Sequence, residues 1–349
     1  MAANSSTSNS KFLIVLKTIT VLGLIVLFLF QLQTVGKIYE EKQIIQKVNT
    51  WNSRRFEELY ALPPNSLDVV FIGSSHSYCT FEPDFFDREL GIVSHQMGMP
   101  LQHADGSYFT LLEVFNYQKP KIVVMELYWD MLDNEYEPSQ LDSLFTAMDN
   151  EKLKARFMQE VLPLSVSVKS YLPFINYQRD FFMESSKEIK EFIEEKYGIV
   201  EEKEVATGEE YYDKKGYIYT DKQMLEGEFG PTNQYNGFDG KSWSMHPSQQ
   251  KYLEKIIELC KENNSELIFV TAPVAITSFD RIKNYDFVHQ IIADFSSKNA
   301  ITYFDYNLIN QSLDMLTDDN FQDDAHLNHS GVEIIGEHFI DILKGRLKL

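Results

Sequence analysis

The apolar positions change their period three times along the chain. Residues 12–30 (FLIVLKTITVLGLIVLFLF) are almost continuously apolar, about the 20 residues that a helix needs to cross a hydrocarbon core. The charge within them, Lys17, lies near enough to the N-terminal end to snorkel. QLQTVGK follows without an A-x-A-like cleavage site, so the segment reads as an uncleaved anchor rather than a signal peptide. Beyond Gly36, the positions Ile38, Ile44, Ile45, Val48 and Trp51 recur at helical spacing. They predict a juxtamembrane helix that Pro63-Pro64-Asn65 ends. Next come short apolar runs at 67–72 (LDVVFI), 121–127 (KIVVMEL), 266–271 (ELIFVT) and 301–304, alternating with helical patterns at 82–90, 104–117, 248–263, 285–298 and 331–343. Near-continuous apolar strands between helices predict an α/β fold, a parallel sheet covered on both faces.

The expected organisation is a cytoplasmic N-terminus (1–11), a transmembrane anchor (12–35), a juxtamembrane helix (36–62) and an extracytoplasmic body (63–349). Within the body, 131–247 breaks the alternation and reads as a large helical and loop insertion. Its first part, 141–205, is helical and charged, and 207–243 is rich in Gly, Tyr and acids. Long excursions of this kind are commonly lids or binding loops. Tyr211, Tyr212, Tyr217, Tyr219, Tyr235 and Trp243 are suited either to stacking on sugar rings or to packing the insertion's own core.

Charge and cysteine content narrow the partners. With 32 Lys+Arg against 52 Asp+Glu the net charge is -20, which repels polyanions and excludes a nucleic-acid partner unless a basic patch intervenes. Lys11 and Lys17, with no acid before Glu40, favour an N-in orientation of the anchor. Cys79 and Cys260 have neither metal-ribbon nor redox spacing. The sequons at Asn263, Asn310 and Asn328 fit chance matches.

Candidate chemistry lies at two places. The first strand runs into Gly73-Ser74-Ser75-His76, which puts small hydroxyl residues at the carboxyl edge of the sheet, where open α/β sheets bind ligands. Ser75 is the candidate nucleophile. It needs a base, and the base needs a group that fixes its tautomer. His326 and Asp323, in FQDDAHLN just before the last helix, supply both within one turn. Asp324 is a rival for the place of Asp323. Taken singly, each half is as well read as a turn or a helix cap. Ser74, His76, Trp129 and His246 are possible pocket residues, although the side chain of His76 is expected to point away from Ser75 and His246 reads equally as a cap. His95, His103, His289, His329 and His338 show no spacing that would make a metal site, and no metal or cofactor is expected.

FIGSSH and the D-x-x-H before the final helix resemble the SGNH (GDSL-type) hydrolase superfamily. The resemblance spans roughly 67–110, 121–130 and 248–349 and leaves the insertion out. It implies a flavodoxin-like three-layer α/β/α parallel sheet, with Ser75 as nucleophile, His326 as base and Asp323 as orienting acid. Gly98, in MGMP, matches the second-block glycine whose amide, with that of Ser75, forms the oxyanion hole. The third block normally has an asparagine in G-x-N-D. Here Leu127-Tyr128-Trp129-Asp130 has none, and Glu126 or Trp129 is expected to line the pocket without donating to the oxyanion.

GSSH, HQMGMPLQ, PKIVVME and HLNHSG are most similar to membrane-anchored bacterial acyltransferases, the DltD and PatB proteins that O-acylate cell-wall polymers. That resemblance implies a serine O-acyltransferase moving an acyl group, preferentially acetyl, onto a cell-wall or surface polysaccharide. It also implies a multi-pass membrane-bound O-acyltransferase as acyl supplier, since an enzyme outside the membrane has no ready access to cytoplasmic acetyl-CoA. The charge of -20 favours a neutral or weakly charged acceptor over polyphosphate teichoic acid. Alternatives are an anchored esterase, D-alanyl transfer to teichoic acid, and a catalytically silent assembly subunit.

Overall fold

The computed structural model describes residues 5–47, 50–135, 144, 147–172, 174, 210–224 and 230–348. Contacts divide the chain into two units, Met1–Val48 with Leu162–Lys203, and Asn49–Val161 with Glu204–Leu349.

The first unit holds the helix Ser5–Lys47. Its segment Phe12–Ile38, of mean hydropathy 2.7, is long and apolar enough to cross a membrane. The helix continues past Gly36 to Lys47, because no proline or glycine interrupts 37–47. The expected juxtamembrane helix is therefore divided, and its remainder is a separate helix, Thr50–Ala61, in the second unit. Of the helical stretch expected over 141–205, Glu151–Glu160 and Leu164–Tyr171 are helices, and most of the rest lies outside the described residues.

The second unit is built on a five-stranded parallel sheet of β1 (Val69–Ile72), β2 (Ser94–Gln96), β3 (Ile122–Glu126), β6 (Glu266–Thr271) and β7 (Thr302–Asp305), in the order β2-β1-β3-β6-β7. β4 (Glu210–Tyr212) and β5 (Ile218–Thr220) form a separate antiparallel hairpin. The chain goes from β1 outward to β2 and then back across β1 to β3. The order therefore reverses between β1 and β3, and the carboxyl ends of strands at such a reversal are where open α/β sheets bind ligands.

Strand periodicity sorts the core into two faces. Val69, Phe71, Ile122, Val124, Ile268 and Val270 share one cluster with Phe85 and Phe86 of helix Pro83–Leu90 and with Ile335, Phe339 and Leu343 of helix His329–Leu347. The alternate residues Val70, Ile72, Val123, Met125, Leu267 and Phe269 are equally buried and point to the opposite face. Helices Ala104–Tyr117 and Pro247–Glu262 pack together, the latter against β6. Phe339 is fully buried, its ring centroid 5.1 Å from Phe81 and 6.2 Å from both Phe86 and Phe304. Phe339→Ala should cost about 3–5 kcal/mol of folding free energy in urea or guanidinium unfolding. A loss below about 1 kcal/mol would mean that the cluster closes over the gap.

β2 and the helix Tyr306–Leu313 depart from the sequence expectation. Ser94-His95-Gln96 has no apolar residue, yet all three side chains are buried because each finds a partner. The Ser94 hydroxyl donates to Asp87 at 2.6 Å, and His95 Nε2 lies 2.9 Å from the Arg55 carbonyl. The Gln96 side chain bonds Ser77 and Gly98. The outer edge of β2 is covered by the hairpin loop, since the Gln96 amide donates to the Lys215 carbonyl at 2.8 Å. Aromatics of the insertion are drawn into the body. Tyr217 and Met224 belong to the main cluster, and Tyr212, Tyr235 and Trp243 are buried. Tyr211 is 42% exposed and stacks on Tyr219 across the hairpin at 4.9 Å.

Candidate active site

β1 delivers the chain to this carboxyl edge. Its four buried apolar residues end at Ile72, and Gly73 follows with φ +145°. A Cβ there would lie 2.8 Å from both Cβ and Oε2 of Glu126, so the turn requires glycine. Ser74 is extended and caps the one-turn helix Ser75–Tyr78, its hydroxyl oxygen accepting from the His76 amide at 3.2 Å. The side chain of Ser75 is thereby lifted toward the loop before the last helix.

That loop is fixed by its own hydrogen bonds. The Gln322 amide donates to the His326 carbonyl at 2.9 Å, and Phe321 bridges Leu327, both side chains being buried. Asp323 Oδ1 accepts from the amides of Ala325 and His326, each at 2.8 Å, as an Asx turn. The same carboxylate faces His326 Nδ1 at 3.1 and 3.0 Å. Nδ1–H donating there leaves Nε2 as the acceptor, and Nε2 lies 2.8 Å from Ser75 Oγ. The structure thus brings Ser75, His326 and Asp323 into one hydrogen-bonded chain.

Electrostatics follow from this packing. Burial acts to raise the Asp323 pKa, but the His326 hydrogen bond and charge and the two amides overcome it and hold the carboxyl at about 2. Burial likewise acts to lower the His326 pKa, and the hydrogen bond and charge of Asp323 carry it above its ordinary value. His326 is therefore a stronger base than a free imidazole.

Asp324 does not compete for the histidine. Its carboxylate accepts from the amide and side chain of Gln234 at 2.8 and 2.7 Å. Together with the Met224 amide on the Phe321 carbonyl at 2.9 Å and Asn328 Nδ2 on the Lys222 carbonyl at 3.1 Å, this ties the insertion to the histidine loop.

The structure revises the expectations for Gly98, His76, Trp129, His246 and Ser74. The Gly98 amide donates to Gln96 Oε1 at 2.8 Å, so it is already engaged and does not stand free for an oxyanion. Gly98 serves close packing instead, since a Cβ would lie 3.0 Å from both the Ser74 carbonyl and Ser77 Cβ. The Ser75 amide, first in its helix, has no partner within that helix and faces no such competition. His76 does not turn away from the site. Successive helical residues are about 100° apart rather than opposed, and its buried ring stacks on Tyr128 at 3.9 Å and lies 4.6 Å from the ring of His326. Burial, and then the charge of His326, hold its pKa well below the ordinary value. Trp129 does not line a pocket: it is 1% exposed, packed against Tyr128, Tyr235, Phe238 and Tyr285. His246 is a helix cap, with Nδ1 3.3 Å from the Ser248 amide and 2.7 Å from its hydroxyl. Ser74 turns inward to Glu126. Among the described residues, no group of three His, Cys, Asp or Glu gathers as metal ligands.

Gln96 and Tyr128 lie beside the site without belonging to either sequence motif. Tyr128 packs on His76 and exchanges a hydrogen bond with Tyr235 at 3.0 Å. The available signal was polarity in unexpected places, a buried glutamine in a strand and a tyrosine just past one.

No protein-family model and no curated protein matches the chain. Among solved structures, it is similar to a putative acylhydrolase from Bacteroides fragilis NCTC 9343, at 12% identity over 84% of this chain and 95% of that one, with a TM-score of 0.39. It is also similar to a GDSL-like lipase from Bacteroides thetaiotaomicron VPI-5482, at 13% identity over 84% and 98%, with a TM-score of 0.37. A gut microbial diltiazem-metabolizing enzyme matches at 11% identity over 81% and 48%, with a TM-score of 0.24. The sheet order and the helices on its two faces give the body the α/β fold that the resemblance to the SGNH hydrolases implies.

Proposed function

We propose that the protein is a membrane-tethered serine acyltransferase of the SGNH type, acting outside the cytoplasmic membrane. The observation that carries this reading is the Ser75 Oγ to His326 Nε2 contact of 2.8 Å, with Asp323 behind the imidazole. Ser75 Oγ attacks the carbonyl carbon of an acyl ester while His326 Nε2 takes its proton. The leaving group departs with that proton, and an acyl-enzyme remains. A hydroxyl of a wall or surface polysaccharide, deprotonated by the same nitrogen, then attacks the acyl carbon and frees Ser75. The Ser75 amide stabilises the oxyanion in both steps.

Transfer rather than hydrolysis requires that water be excluded. The anchoring of the insertion through Gln234, Met224 and Lys222 to the histidine loop supports a lid role. The apolar helix supports a membrane tether, and Lys11 and Lys17 support an N-in orientation. A multi-pass membrane-bound O-acyltransferase as acyl supplier and a neutral polysaccharide as acceptor, with acetyl as the group moved, complete the proposal.

Detergent-solubilised full-length protein treated with a fluorophosphonate should carry an adduct at Ser75 that His326→Ala abolishes. No adduct under conditions that label a control serine hydrolase would sink the acyl-enzyme. With labelled p-nitrophenyl acetate as surrogate donor and neutral oligosaccharides as acceptors, label on the sugar is the expected product, and free acetate alone would make the protein an esterase. Protease added to intact cells should digest the body, and complete protection would reverse the orientation.

A further inference from the structure

Glu126 is the last residue of β3, fully within the strand's hydrogen-bonding register opposite Val270. It is 3% exposed and has no lysine or arginine bonded to it among the described residues. Its Oε2 accepts two hydrogen bonds, from the Ser74 amide at 3.0 Å and from the Ser74 hydroxyl at 2.8 Å. Its Oε1 is buried without a partner. An apolar side chain at the end of VVM would avoid this cost of about 1–3 kcal/mol for an unmet buried polar atom. A stability rationale is therefore absent, and the bonds that the carboxyl does make all go to one residue, the neighbour of the nucleophile.

The consequence runs through the hydroxyl of Ser74. A serine hydroxyl has one proton and its lone pairs. With the proton given to Glu126, the lone pairs face the His76 amide at 3.2 Å and start the helix that carries Ser75. The second bond, from the Ser74 amide, fixes the Gly73–Ser74 peptide, one before the peptide that carries the Ser75 amide. Gly73 closes the arrangement from below, since its missing Cβ is the space that Glu126 occupies. The direction of the Ser75 amide is the direction of this turn. With the Gly98 amide engaged by Gln96, that direction matters more than in a site with several free donors.

We infer that Glu126 is a positioning residue for the acyl-transfer site, holding the Ser74–Ser75 turn so that the Ser75 amide points at the oxyanion. The inference rests on the serine acyl-enzyme reading. Burial supports an acceptor role that does not depend on charge: it raises the Glu126 pKa to about 7 against the opposing pull of Ser74, and Oε2 accepts in either protonation state when a proton resides on Oε1.

The test compares Glu126→Gln, which keeps an acceptor oxygen, with Glu126→Met, which keeps the volume and removes it, in full-length protein. The readouts are kcat and KM for p-nitrophenyl acetate, the rate of fluorophosphonate labelling at Ser75, and thermal unfolding. Glu126→Met should lower kcat and the labelling rate by about 10- to 100-fold with KM within about twofold, as expected for a misaligned transition-state contact, while the protein remains folded. Glu126→Gln should restore both rates to within about threefold of wild type. Glu126→Met at wild-type rates, or Glu126→Gln as slow as Glu126→Met, would overturn the positioning role while leaving the acyl-enzyme in place. Absence of labelling in the wild type would overturn both.

Discussion

Ser75→Ala should lower ester turnover by about a million-fold relative to the intact protein, to the residue of catalysis that binding and the backbone amide at position 75 provide. The reason is that in the proposed mechanism Ser75 Oγ, 2.8 Å from His326 Nε2, would form the bond on which both half-reactions depend. His326→Ala should be nearly as slow, and the double variant should be no slower than either single one, because nucleophile and base act as a unit. The measurement is p-nitrophenyl acetate hydrolysis by purified full-length variants, with the rate in buffer alone subtracted. A single variant that retains a tenth of the activity, or a double variant whose loss is the product of the two, would place the nucleophile elsewhere. Cys79 is a poor substitute for it. It is buried beyond the C-terminal end of the same helix, and burial, reinforced by the charges of Glu210 and Asp323, holds its thiol well above the ordinary value. A thiol kept protonated is a weak nucleophile.

What the pattern of residues revealed, and what it hid, divides along a physical line. β1, β3 and β6 are buried on both faces and must be apolar, so VVFI, IVVME and ELIFVT stand out in the sequence. Helices Ala104–Tyr117 and Tyr285–Lys298 were legible to their ends because local periodicity and the breaks after them agree. β2 was hidden because its stability comes from side-chain hydrogen bonds to Asp87, Arg55 and Ser77, residues 7, 40 and 19 positions away. Ser75, Asp323 and His326 were legible because hydroxyl, carboxylate and imidazole carry chemistry in their names and sit at strand and helix boundaries. The capture of the Gly98 amide by Gln96, and the turning of Ser74 toward Glu126, depend on which way an amide or a hydroxyl points across the site. Nothing in a residue's identity sets that direction. The insertion's tyrosines show the same limit, since Tyr211 is exposed and Tyr212, its neighbour, is buried solely because hairpin residues alternate faces.

Asp323→Asn should leave the fold intact, slow acylation by about 10³- to 10⁴-fold, and move the pH dependence of what remains. The sign follows from the two opposing influences on His326. Burial pulls its pKa down, and the hydrogen bond and charge of Asp323 bring it above 6.5. Acylation needs the neutral imidazole, so the wild-type labelling rate should rise with pH through a midpoint above 6.5. Asp323 itself, at about 2, stays ionised throughout. Asparagine removes the largest raising influences and leaves burial opposed only by the weaker charges of Glu210 and Asp324, so the midpoint should fall below its wild-type position even as the plateau drops. The drop in the plateau has a separate cause: an amide donating to Nδ1 favours the tautomer with a proton on Nε2, which no longer accepts from Ser75. Fluorophosphonate labelling of Ser75 between pH 5 and 9 reads both quantities. Glu126, held near 7 by burial, titrates in the same range, so the profile is repeated in Glu126→Gln, where the limb must persist if it belongs to His326. An Asp323→Asn midpoint unchanged or shifted upward would mean that Asp323 does not control the imidazole, and an unchanged plateau would remove it from the site.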